Sequence, residues 1–187
     1  ITLTKPDEGL NIFYTIDGSD PNVESQKYNS PFMIEQAATL KAISFDPISG
    51  NKSEPVRIDV DLAKAKWKIS QENAERAIDE NAGSYFKSED NSLTVDLGEE
   101  HELKGFTYMP MQARYPSGFI TNYVFEISEN GTSWEQVASG EFSNIVNSPV
   151  AQIIQFDKIN ARFIRLTASK TADGNAATFA EIGVLTK

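Results

Sequence analysis

The chain has 187 residues, 40% hydrophobic and 24% charged, a composition of one medium or two small globular domains rather than of a disordered segment. With 17 Lys and Arg against 27 Asp and Glu its formal charge is -10, which excludes phosphate-neutralising nucleic-acid binding and disfavours docking on an anionic membrane. There is no Cys, hence no disulfide, thiol nucleophile or Cys-ligated zinc, and no apolar run of ~18 residues to insert into a bilayer as a helix.

In chain order, ITLTKP (1–6) alternates apolar and polar residues without the basic and apolar regions of a signal peptide, which suggests a piece cut from a longer polypeptide. IFYTI (12–16) runs into DGSDPN (17–22), where Gly18 tolerates positive φ and Pro21 cannot continue a ladder, so a strand ends there. PFMI (31–34), TLKAISF (39–45) and VRIDVDL (56–62) follow, and these short strands predict a small antiparallel sandwich over residues 1–62. AKAK (63–66) is the boundary, too short and apolar for a floppy linker.

The second block, 63–187, opens with the helical candidate ENAERAID (72–79). Strands are predicted at LTVDL (93–97), KGFTYMP (104–110), ITNYVFEIS (120–128), WEQVAS (134–139), AQIIQFD (151–157), ARFIRLTAS (161–169) and AEIGVL (180–185). Tyr123, Phe125 and Ile127 share one face, and ENGTSW (129–134) reads as a hairpin turn. The fold class is all-β: two antiparallel β-sandwich domains, the second a jelly roll.

The ordered strings AIDENAGSYF, SLTVDLGE, GFTYMP, ITNYVFEISENGTSWEQVASGEF, ARFIRLTA and AEIGVL resemble the F5/8 type C (discoidin-like) family, which includes the family 32 carbohydrate-binding modules. IFYTIDGSDPN, then Y-x-x-P at 28–31 and LKAISFD at 40–46, resemble the small module of the C-terminal region of chitobiase and β-hexosaminidase. The pair is similar to the C-terminal ends of secreted glycoside hydrolases of gut Bacteroidetes, such as hexosaminidases, chitobiases or α-L-fucosidases. The resemblance implies a bacterial, periplasmic or extracellular location and a non-catalytic accessory region. Its expected partners are a glycan (terminal mono- or disaccharide units) and the catalytic domain of the same polypeptide. The alternative is a purely structural spacer that binds nothing.

No catalytic motif stands out. Glycoside hydrolysis needs two carboxylates ~5–5.5 or ~6.5–9.5 Å apart. The neighbouring acids Asp59/Asp61, Glu89/Asp90 and Glu99/Glu100 sit in polar strand edges or turns and read as solvated surface charge. His101, between Glu100 and Glu102, reads as an exposed turn residue.

Asp79, Asn81 and Ser84 supply oxygen donors in a tight loop suited to calcium, which accepts carboxylates and carbonyls alike. The resemblance implies a structural Ca2+ held by the carbonyls of Arg76, Asn81, Ser84 and Ala180 and the side chains of Asp79, Ser84 and Glu181. Without it, Asp79 is a turn residue and Glu181 a surface charge.

Sugar recognition needs a ring to stack on a pyranose face and planar polar groups around its hydroxyls. Four loops are eligible, 84–91, 112–118, 143–149 and 170–179, and their candidates are Tyr85, Lys87, Arg114, Tyr115, Asn144, Asn175 and Phe179. Arg114-Tyr115 is the best pair, a bidentate donor beside a ring. Tyr85 and Phe86 suit a core position as well. Lys87, Ser88 and Met111 stand where the galactose-type pattern of the resembled family has His and Arg, which argues against that mode. Trp67 and Trp134 read as packing residues.

Overall fold

A computed structural model describes residues 1–34 and 37–187, and its longer regular elements are all strands. Tertiary contacts divide the chain into Ile1–Ala63 and Lys64–Lys187.

In the first unit β1 (Asn11–Thr15), β2 (Gln26–Lys27), β3 (Ala38–Phe45) and β4 (Val56–Val60) form an antiparallel sheet in the order β2-β1-β3-β4. Period-two alternation puts Ile12 and Tyr14 on one face, joined there by Leu40. Ile1, Leu3, Phe32 and Ile34 cover that face, and the Tyr14 and Phe32 rings stack with centroids 4.6 Å apart. The second layer of this small sandwich therefore consists of extended segments, tied where the Phe32 N–H donates to the Ile1 carbonyl at 3.2 Å. At the end of β1 the Asp17 carboxylate accepts from the Ser19 N–H and hydroxyl at 3.0 and 2.6 Å, so DGSDPN closes as a turn.

The second unit contains β5 (Phe86–Ser88), β6 (Ser92–Met109), β7 (Ile120–Ser128), β8 (Glu135–Glu141), β9 (Gln152–Thr171), β10 (Ala177–Phe179) and β11 (Glu181–Leu185). Five strands run in the order β11-β6-β9-β7-β8, and β5 pairs with β10. Two of them, β6 and β9, are long strands that pair with each other on both sides of register shifts. Their register runs from Ser92–Thr167 to Asp96–Phe163, jumps to His101–Ala161, and resumes to Tyr108–Gln152. Gly98 sits inside the jump at φ 88, where a Cβ would come within 2.9 Å of the Lys66 carbonyl oxygen, so both the bend and the close approach require glycine. A second shift between Leu103 and Gly105 reverses the alternation, so that Leu103, Phe106 and Tyr108 are all fully buried.

The bend lays Phe106 flat on Phe125 of β7, centroids 4.1 Å apart, while Tyr123 stacks on Phe142 at 4.4 Å and Tyr108 on Phe142 at 5.1 Å. Each such ring contributes about 1.5–3 kcal/mol by leaving water, which makes this aromatic column the main cohesive element of the unit.

Several expectations change, and the strand expected at 31–34 is an extended segment without ladder pairing. The pairs 93–97/104–110 and 151–157/161–169 are each one bent strand, and His101 lies half-buried in the ladder rather than in a turn. Helix 72–79 shrinks to a 3-10 turn, Ala74–Ala77, because Asn73 at φ 61 breaks the helical path and the remainder is too short to propagate. Trp67 is buried at 7% exposure, but Trp134 is only partly buried, its ring covered by the Arg165 guanidinium at 4.2 Å.

Candidate functional site

The loops at one end of the second unit are joined at their bases by buried and charge-assisted hydrogen bonds. The Tyr108 hydroxyl, deep in the core, donates to the Thr178 carbonyl at 2.8 Å and accepts from the Ile120 N–H at 3.3 Å, linking β6, β7 and β10. Burial pushes that phenol well above its usual range, so it stays protonated and donating. Asp173 is the hub above it, accepting from the Ser117 hydroxyl at 2.7 Å, the Gly118 N–H at 3.2 Å, the Asn175 N–H at 3.1 Å and the Asn175 amide at 2.9 Å. The Ser117 bond is the largest influence, and together these donors hold the Asp173 carboxyl at about 2. Gly118, at φ +67, lets the two loops touch, since a Cβ there would meet the Ala176 carbonyl oxygen at 2.1 Å. The third loop joins through Gln112, whose amide donates to the Pro149 carbonyl at 2.8 Å.

On this pedestal stand Arg114 and Tyr115. The guanidinium lies 5.4 Å from the centre of the Tyr115 ring, and the tyrosine is 79% exposed. Among the described residues no hydrogen bond or ion pair engages the Arg114 guanidinium, which leaves five planar donors directed to solvent beside an apolar ring. A recess of about 440 Å³ lined by Asn91, Lys170, Thr171, Gly174 and Asn175 flanks the hub.

The other candidates fall into different roles. Lys87 on β5 and Tyr85 just before that strand are exposed, and Lys87 pairs with Thr178, whose hydroxyl donates to the Ser117 carbonyl at 2.8 Å. They stand one strand from the base of the Arg114 loop. The Asn175 amide is spent on Ser117 and Asp173, so it positions the loops. Asn144, at φ 56, accepts from the Asn147 amide at 2.9 Å and is a turn residue. Phe179 is a correction: it is fully buried, flanked by Phe86 and the edge of Tyr108, because all three residues of β10 face packed neighbours, and it cannot meet a sugar. Ser117 escaped the sequence reading because a Ser in a Pro/Gly loop carries no distinctive signal.

A second cluster lies where the 76–84 loop meets β11. The Ser84 hydroxyl is within 2.7 Å of Asp79 Oδ2, 2.9 Å of the Asn81 carbonyl and 3.3 Å of the Arg76 carbonyl, and its one proton satisfies only one of these three acceptors. The Asn81 N–H donates to both Asp79 (2.9 Å) and Glu181 (3.0 Å), so the two carboxyls face each other across it. Burial is the largest influence on both. It holds Glu181 above its ordinary value, whereas hydrogen bonds from Ser84 and Asn81 leave Asp79 below its own. Glu80 takes a left-handed φ of 59 to swing Asn81 back under Asp79, a backbone cost for a non-glycine residue. Ala180 is buried beside Glu181 at the start of β11. Oxygen acceptors in excess of protons, with two carboxylates converging, fit a calcium ion. Neither carboxylate is free to work on a substrate: the Lys64 ammonium takes Glu181 Oε2, and Ser84 and Asn81 take Asp79.

Two further acids are engaged across strands, Asp96 with Arg162 by two bonds of 2.9 Å and Glu126 with Arg165 at 2.8 Å.

Comparison with known proteins agrees with the all-β fold. The F5/8 type C domain family matches residues 62–182, and the Fn3 associated family matches residues 1–56. The chain is similar in fold to CpGH89CBM32-5 from Clostridium perfringens in complex with GalNAc-β-1,3-galactose, at 24% identity and TM-score 0.55 over 64% of this chain and 94% of that one. It is similar to the family 32 module of C. perfringens NanJ in complex with galactose, at 25% identity and TM-score 0.56 over 65% and 95%. The C-terminal domain of a Bacteroides fragilis chitobiase is similar at 22% identity and TM-score 0.56 over 67% and 97%. No match was found among curated protein sequences.

Proposed function

The chain belongs to the F5/8 type C domain family through residues 62–182, and on that premise we propose that its second unit is a carbohydrate-binding module that recognises terminal mono- or disaccharide units through Arg114 and Tyr115. The observation that carries this reading is the solvent-facing Arg114–Tyr115 pair, which no other described side chain engages by a hydrogen bond or ion pair, yet which is seated on loops locked by Asp173. An exposed ring offers a stacking face for the C–H side of a pyranose, and a guanidinium brackets two hydroxyls at once. Lys87 and Tyr85 extend the same surface.

The module acts as an accessory to a bacterial periplasmic or extracellular glycoside hydrolase of the chitobiase, hexosaminidase or α-L-fucosidase kind, carried on the same polypeptide. A shallow single site binds at ~0.1–1 mM, about -4 to -5.5 kcal/mol, and tethering converts that weakness into effective concentration at the substrate. Asp79, Ser84, Glu181 and the carbonyls of Arg76, Asn81, Ser84 and Ala180 would hold a calcium ion, which would supply structural charge neutralisation pinning the 76–84 loop to β11.

One observation favours the spacer reading for the first unit. Val56 and Ile58 on the edge strand β4 are 62% and 41% exposed beside a recess of about 210 Å³ lined by Leu3, Pro6, Leu40 and Ala42, a surface suited to buttressing a neighbouring domain.

The test is a glycan array on the full chain followed by chemical-shift titration with each hit. Shifts centred on Arg114, Tyr115, Ser117 and Asn175, abolished in Arg114→Ala and Tyr115→Ala, are expected. Absence of any glycan binding leaves the spacer reading, and shifts confined elsewhere overturn the site.

A further inference from the structure

The oxygen cage between the 76–84 loop and β11 already holds a cation that belongs to the chain. Lys64 opens the 3-10 turn Lys64–Lys66, and its ammonium donates to Glu181 Oε2 across 117 residues of sequence. Both side chains are only 16% exposed, so this is a shielded pair rather than a surface contact. The ammonium also lies 5.8 Å from the ring centre of the buried Trp67, which restricts where it can go. Lys66, two residues on, is the contrast: it is 74% exposed and reaches Glu99 at 3.3 Å.

Both oxygens of Glu181 are thus occupied, Oε1 by the Asn81 N–H and Oε2 by Lys64. A divalent ion in the cage needs Glu181 and would stand beside a fixed like charge. It must displace the ammonium or bind against its repulsion.

We infer that Lys64 is the built-in counter-ion of this cage: it holds β11 to the start of the second unit without metal, and it competes with a divalent cation for Glu181. The clip then has two closed states, one bridged by Lys64 and one by the ion, and the fold does not depend on calcium supply. Affinity for calcium is set below what the oxygen donors alone would give.

The experiment is calorimetric titration of the full chain with calcium chloride for wild type, Lys64→Met and Lys66→Met, with melting of each in excess EDTA. Lys66→Met removes the same charge from the same turn and so subtracts the general electrostatic effect. Lys64→Met is expected to bind calcium about tenfold or more tightly than both others and, in EDTA, to melt below both. If Lys64→Met is unfolded in EDTA, recovery of its β-sheet circular dichroism on adding calcium gives the same support. Calcium affinity in Lys64→Met within about twofold of Lys66→Met overturns the inference. So does the absence of calcium heat in every variant up to ~10 mM, or failure of Lys64→Met to fold with calcium present.

Discussion

Replacing Asp173 by Asn tests whether the loop end is locked by one carboxylate. Four donors converge on Asp173, from the Ser117 hydroxyl, the Gly118 N–H and the Asn175 N–H and amide. An Asn in its place keeps one accepting oxygen and turns an NH2 group toward the others. The folded carboxyl titrates at about 2 against an ordinary value of 3.8, a gap whose ceiling is about 2.4 kcal/mol at neutral pH. The side chain is exposed, so solvent screening brings the expected loss to about 1 kcal/mol. Because the folded pKa is depressed, this stability is fully present above about pH 4 and is lost as pH falls through about 2. Urea denaturation followed by Trp fluorescence suits the measurement, since Trp67 and Trp134 both lie in the second unit. Wild type should exceed Asp173→Asn by about 1 kcal/mol at pH 7, with the difference shrinking from about pH 4 downward and closing near pH 2. A difference that persists undiminished at pH 2, or none at pH 7, would refute the hub.

Two further outcomes follow from the core and the clip. Phe106→Ala removes a fully buried ring stacked 4.1 Å from Phe125 and should cost about 3–5 kcal/mol in urea denaturation; a loss below about 1 kcal/mol would place the cohesive centre elsewhere. Wild type saturated with calcium at ~100 times its dissociation constant should gain about 2.7 kcal/mol, removed by EDTA, and identical melting with and without chelator would eliminate calcium from the clip.

Side-chain alternation made the strands legible. Tyr123, Phe125 and Ile127 on one face of β7 are buried at 5%, 0% and 4%, as period two requires. Alternation is local, however, and the errors lie where partners are distant in sequence. Gly98-Glu99-Glu100 has the composition of a turn, yet β6 passes straight through it, because β9 pairs with both sides of the bend from some 60 residues away. Phe179 looked like a loop aromatic because nothing in KTADGNAATF reveals that β10 packs between Phe86 and Tyr108. Ionic partners were equally hidden: Glu181 was readable as an oxygen donor near Asp79, but Lys64 carried no sign that it would reach the same carboxylate. Arg114-Tyr115 was legible for the opposite reason. A Pro/Gly-bounded loop confines neighbouring residues to a tip, so proximity was assured by sequence alone.

That tip is informative because its exposed side chains gain little from the fold. An aromatic side chain 79% exposed contributes almost nothing by burial, and a cation over its ring at the surface adds only about 0.5–1 kcal/mol. The loop beneath is nevertheless held by a carboxylate hub, a glycine that admits a carbonyl at 2.1 Å from its missing Cβ, and a buried tyrosine hydroxyl. Stability alone would be served better by a shorter loop with Tyr115 turned inward. Rigid support beneath a side chain that gains little from the fold is the arrangement expected when the compensating contact comes from outside, because pre-ordering the ring and guanidinium lowers the entropy lost on capture. Asp96, Glu126 and Glu181 lack this property, each being engaged by a cation of the same chain.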